Sequence, residues 1–198
     1  MPVVKWSRAV QHVEDLARRC ATPSPIPMLP VTGLWVFGDL LGEPRDLDWA
    51  HVAVVVDLPL DDVPWLSIPQ GGQHWAQAVR LREPLVGRFR SAAGPVWNHR
   101  IARPALVWDS TDGIRDATLA ALRDGLGRDV RVDAPSPAEL RAQLSTELAV
   151  SLRSLRRQHR SYDDQRWRPG KLDPHADSLW RATDSYLDLL DAVNDFEL

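Results

Sequence analysis

Cysteine is all but missing from this chain of 198 residues, where Cys20 stands alone. A single thiol closes no disulfide within the chain and builds no cysteine zinc cluster, which suits a reducing cytosol. Placed at the end of an apolar helical stripe, Cys20 reads as a packing residue. Long apolar runs are missing as well: no stretch approaches the ~20 residues of a membrane-spanning helix, and the opening MPVVKWSRAV has no sustained apolar segment behind its basic residue. The expectation is a cytoplasmic protein without membrane contact. Nor does one sign of charge dominate. With 24 Lys and Arg against 27 Asp and Glu, the net charge of -3 gives no global drive toward nucleic acid or anionic lipid, so any such binding must be local.

Several motifs are absent too. There is no His-Glu-x-x-His, no Gly-x-x-x-x-Gly-Lys, no Gly-x-Gly-x-x-Gly and no glycine-flanked nucleophilic serine. Zinc hydrolases, common NTPases, dinucleotide enzymes and serine hydrolases therefore drop out. The six histidines are scattered, and His51, inside an apolar run, reads as a packed strand residue.

Tryptophan and proline are plentiful: nine and sixteen residues, spread along the chain. The tryptophans are too dispersed for a single stacking platform and suit core and rim packing. Apolar positions at helical spacing predict a first helix within Val4 to Arg19, and TPSPIPMLP stops it because proline lacks an amide donor. VTGLWVFG and HVAVVVD, β-branched and flanked by turn residues, predict strands buried on both faces. A proline-rich loop from Leu58 to Gly72 leads to a short helix at HWAQAVRL. VWNHRIARPALVWD predicts one bent strand or two, STDGIRDATLAALRDGLG a helix capped by Ser110 or Thr111 with Gly127 beyond its end, and RDVRVD a short strand.

Ser136, Pro137 and Glu139 then form a capping box that opens a long helix, with Leu140, Leu144, Leu148, Leu152 and Leu155 on one side. Arg153, Arg156, Arg157 and Arg160 fall on another side and could contact phosphate or nucleic acid. Asp173 and Pro174 open a last helix whose Asp177, Asp184, Asp188, Asp191 and Asp195 share a side. The two charged faces could approach each other, stay solvated, or pair two chains. The expected class is α/β (α+β): a small mixed sheet flanked by helices in residues 1–133, with a helical region, residues 134–198, packed on it.

The stretch VFGDLLGEPRDLDWAHVAVVVD carries the candidate chemistry. In extended chain Asp46 and Asp48 share a face, and two such carboxylates can hold a hard divalent cation, usually with substrate phosphates. A third from a neighbouring strand would complete a two-metal site, and Asp109, ending PALVWD, is the candidate. The alternative is a polar turn in which Arg45 neutralises a neighbour.

This stretch resembles the core of the nucleotidyltransferase superfamily related to DNA polymerase β, in its minimal and antibiotic-modifying members, over about residues 31 to 110. The resemblance implies Gly38 as the turn glycine, with Gly38 and Asp39 at the nucleotide. It further implies Asp46, Asp48 and Asp109 as catalytic ligands of Mg²⁺, and a nucleoside triphosphate as partner. Asp39 departs from the Ser or Gly usual at its position, and the turn after it is short and lacks the usual Arg-x-x-Gly. These departures point equally to a catalytically inactive relative that serves as an interaction or regulatory protein, acting on a protein partner or as a homodimer.

Overall fold

The computed structural model describes residues 3–22 and 29–195; most of the TPSPIPMLP connector lies outside them. Helix α1 (Trp6–Ala21) places Ala9, Val10, Val13, Leu16 and Ala17 on one buried side, as the helical spacing predicts. Strand β1 (Val31–Phe37) follows, then a 3-10 turn over Gly38–Leu41, and strand β2 (Ala50–Val56). Helix α2 is short (Gly72–Ala78) and leads to β3 (Leu85–Ser91). Strands β4 (Ala105–Asp109) and β5 (Gly113–Ile114) and helix α3 (Asp116–Arg123) complete the layer. The last third of the chain is a helical pair, α4 (Pro137–Arg166) and α5 (Asp173–Asp195).

The five strands form one mixed sheet in the order β3-β2-β1-β4-β5. β1 is central and antiparallel to both β2 and β4, while β3 runs parallel to β2. Side chains alternate across a strand, so each face has its own residues. Leu34 and Val36 of β1 and Val52, Val54 and Val56 of β2 join α1, Leu119 and Leu122 in the larger apolar cluster. Trp35, Phe37 and Ala53 point the other way and pack with Trp65, Ile101, Leu144 and Leu189 under α4 and α5. The α/β class with a helical carboxy-terminal part is what this architecture displays. No helix among the described residues is long and apolar enough to cross a membrane.

Several local expectations change. Strand β3 falls in LVGRFRS, where two arginines and a glycine hide the apolar pattern; parallel pairing to β2 from Ala50–Leu85 to Val56–Ser91 stabilises it instead. The segment before Pro104 is loop, so VWNHRIARPALVWD yields only β4. The helix expected from Ser110 starts at Asp116 because the Asp109 carboxylate takes the amides of Thr111 and Asp112 at 2.9 and 2.8 Å, folding a turn there. That helix ends before Gly125, whose φ of +73° suits only glycine well, and not at Gly127. RDVRVD is no strand: Gly127–Val130 is a 3-10 turn, and the chain beyond it has no ladder partner beyond one bond from the Val132 amide to Pro104. The capping box forms as expected, Ser136 accepting from the Glu139 amide and Glu139 from the Ser136 amide.

Candidate functional site

The residues singled out in the sequence sit at two ends of the sheet. Asp109 pairs with Gly33 near the start of β1, whereas His51 pairs with Phe37 at its end. At ~3.3 Å per residue those two levels lie ~13 Å apart, and Asp48 and Asp46 precede His51 by further residues. Asp46 and Asp48 are exposed on either side of buried Leu47, whose backbone pairs with Val4. They lie in a loop that precedes β2. Asp109 is occupied elsewhere: besides two amides, it accepts both the Nε and the Nη2 of Arg115, at 3.0 and 2.5 Å. The Asp112 amide, the Thr111 amide and Arg115 together outweigh partial burial and hold its carboxyl below the usual range. Among the described residues no group of three His, Cys, Asp or Glu is placed to hold a metal ion. The three carboxylates do not fit a shared Mg²⁺ site, and no metal step is derived through them.

The strand beside β2 on the side away from β1 is β3. Its residues on the α4–α5 face are Val86, Arg88 and Arg90, partnered with His51, Ala53 and Val55. This face of β3 thus presents two guanidinium groups. Arg90 is buried and turns to α4, pairing with Glu147, which also accepts from Asn98 at 3.0 Å and Gln143 at 2.7 Å. Arg88 turns to a cleft.

That cleft, about 490 Å³, opens at the end of β1 and is bordered by Gly38, Asp39, His51, Trp65, Arg88 and Asp188 among others. Gly38 leaves β1 with φ of +74°, the conformation that lets the chain turn into its 3-10 segment. Asp39 does stand at the cleft, and its charge is answered by Arg45 at 2.9 Å, so the carboxylate does not face an incoming anion unscreened. His51 stacks on Phe37 with ring centroids 5.4 Å apart. Burial, with Arg88 adding to it, pushes the imidazole below its ordinary value, so it is neutral at neutral pH.

Asp188 of α5 is the clasp on the other wall. One oxygen accepts the Trp65 indole at 2.7 Å and His99 at 2.8 Å, and the other takes Arg100 through both Nε and Nη2. Burial works to raise its carboxyl, but the bonds from Arg100, Trp65 and His99 prevail and hold it below the usual range. With its lone pairs engaged, Asp188 is a wall and not an acceptor for ligand. Arg88, half-buried, makes no hydrogen bond or ion pair among the described residues; burial lowers its pKa while the more distant Asp188 and Asp184 oppose that. It stays charged and supplies the cleft's one guanidinium without a direct partner.

Residues 4–195 match the model of a family described as Domain of unknown function (DUF7711). The chain belongs to that family. No curated protein and no solved structure matches it. The DUF7711 cleft thus gathers Gly38 and Asp39, which the sequence marked, with His51 and Trp65, which it treated as packing, Asp188, which it placed on a charged helix face, and Arg88 and Arg100, which it passed over. One signal was available: Arg88 and Arg90 at i and i+2 in an extended segment must share a face, so an otherwise apolar sheet carries two cations on one side. The α4 arginines are exposed. Arg153 pairs with Asp61 at 2.8 Å and Arg157 donates to the Asp61 carbonyl, so these two fasten the turn at residues 60–62. Cys20 packs against the larger cluster, and burial pushes its thiol up to about 12.

Proposed function

We propose that this protein binds a phosphate-bearing small molecule in the cleft at Gly38, and that it does so as a nucleotidyltransferase-like chain without transferase chemistry. The observation that carries the reading is Arg88: a half-buried guanidinium on β3 with no direct partner among the described residues, facing a cleft whose carboxylates are already engaged. A planar guanidinium donates bidentately to phosphate oxygens, and partial burial strengthens that attraction over its value in water. The resemblance of residues 31–110 supports a nucleoside triphosphate as the ligand class. The separation of Asp109 from Asp46 and Asp48 supports binding over metal-dependent transfer.

Calorimetric titration with ATP, CTP, GTP and UTP, with and without Mg²⁺, tests this. The expected result is binding that does not require Mg²⁺, weakened roughly 10- to 100-fold by Arg88→Met and partly retained by Arg88→Lys. Asp46→Ala and Asp48→Ala should leave it unchanged. Mg²⁺-dependent nucleotide turnover that disappears in those two variants would overturn the binding reading in favour of transfer.

A further inference from the structure

The distal half of the α4–α5 hairpin has an outer side that nothing among the described residues covers. Ser151 meets Ser185 at 3.0 Å and Ser161 meets His175 at 3.0 Å, which fixes an antiparallel register: each step along α4 is matched by one step back along α5. Arg156 is therefore level with Trp180, Arg160 with Ala176 beside Asp177, and Arg153 with Thr183 beside Asp184. Arg156 and Trp180 face away from the sheet. Arg156 lies nine residues from sheet-facing Glu147, and Trp180 nine from Leu189. That interval is about two and a half turns, which brings a side chain to the opposite side of its helix.

The α5 stripe alternates exposed apolar and acidic groups: Asp177, Trp180, Asp184, Leu187 and Asp191 at spacings of three and four. Trp180 is 67% and Leu187 49% exposed. Leu152, Leu155, Leu179 and Tyr186 of the same hairpin are part-exposed and belong to neither apolar cluster. Among the described residues, Arg156 and Arg160 on α4, and Asp177, Asp184 and Asp191 on α5, form no ion pair. A two-helix layer that leaves Trp180 and Leu187 in water is short of a partner layer.

We propose that this outer side docks on a second copy of the same chain, the two hairpins forming a four-helix bundle about a two-fold axis parallel to the helices. Such an axis preserves level along the hairpin and sets α4 of one copy against α5 of the other. It lays Arg160 against the second copy's Asp177 and Arg156 over its Trp180, each contact made twice as an isologous interface requires. Opposite charge at matched levels selects a second copy over an unrelated apolar helix. A guanidinium over an indole adds a cation–π contact.

Sedimentation velocity and light scattering on the full chain test the inference. The expected result is twice the chain mass, with the dimer loosening as salt rises. Trp180→Asp and Leu187→Lys, both exposed and so not expected to disturb the fold as read by circular dichroism, should each weaken association by roughly tenfold or more. Arg160→Asp and Asp177→Arg should each weaken it alone and restore it together. A single-chain mass at the highest soluble concentration overturns the proposal. So does a dimer indifferent to Trp180→Asp and Leu187→Lys, or a charge swap whose two halves only add.

Discussion

On its α1 side the sheet presents Leu34, Val36, Val52, Val54 and Val56, closed by the helix and by α3 into one apolar cluster. On its α4–α5 side the same sheet presents His51, Arg88 and Arg90 beside Trp35 and Phe37, under helices that bring Glu147 and Asp188. The first side is stabilised by removing apolar surface from water, which is non-directional and asks only for volume. The second is held by directed bonds between charged groups, so its geometry is fixed residue by residue. A guanidinium exposed to a cleft on that second side is the feature such a device can position, and no counterpart to it exists among the buried valines. The comparison teaches that stability and binding are divided between the two faces of one sheet.

The largest test strikes both faces. Glu147→Ala leaves Arg90 buried without its carboxylate and is expected to cost about 3–5 kcal/mol, because the other charge stays out of water. Leu122→Ala, under α1, should cost about 2–5 kcal/mol through lost transfer energy and a cavity. Chemical denaturation of both variants measures the two; a Glu147→Ala effect below that of an ordinary surface change would show that the polar face is not structural.

The acid limb of stability sharpens the same contrast. Asp188 has its carboxyl lowered in the folded protein, so its contribution is fully present above the ordinary aspartate value of about 3.9 and is lost as pH falls through the lower folded value. Asp188→Asn should flatten that limb, measured by tryptophan fluorescence, and loosen the Trp65 and Arg100 walls of the cleft. Leu122→Ala should lower the curve without changing its shape.

Smaller effects separate Asp109 from Asp46 and Asp48. Asp109→Ala removes two amide bonds and the Arg115 pair and is expected to destabilise by about 1 kcal/mol, most of the gain being screened by solvent. Ligand affinity at the cleft should not change. Asp46→Ala and Asp48→Ala, at exposed loop positions, should stay within ~0.5 kcal/mol of the parent in the same denaturation experiment.

Local signals carried far along this chain. The periodicity of α1, the β-branched runs of β1 and β2, and the Ser136 capping box depend on neighbours within a few residues, and each formed where the sequence placed it. β3 escaped notice because Arg88 and Arg90 lower its apolar content, and parallel pairing to β2 is a long-range stabilisation. Asp109 looked like a ligand because it ends a strand; its nearest amides and Arg115 claimed it first. Asp39 looked repulsive in isolation, and Arg45, six residues on, answers its charge across the turn.

What the sequence determined by itself was α1, β1, β2, α4 and α5 and the alternation of faces, since these follow from local backbone geometry and side-chain size. Which charges met was decided only by the tertiary structure. Trp65, His99, Arg100 and Asp188 are up to 123 residues apart and converge on one carboxylate. Coulombic and hydrogen-bond energies depend on distance in space, so no local pattern announces such a junction, nor the one guanidinium, Arg88, that it leaves facing the cleft.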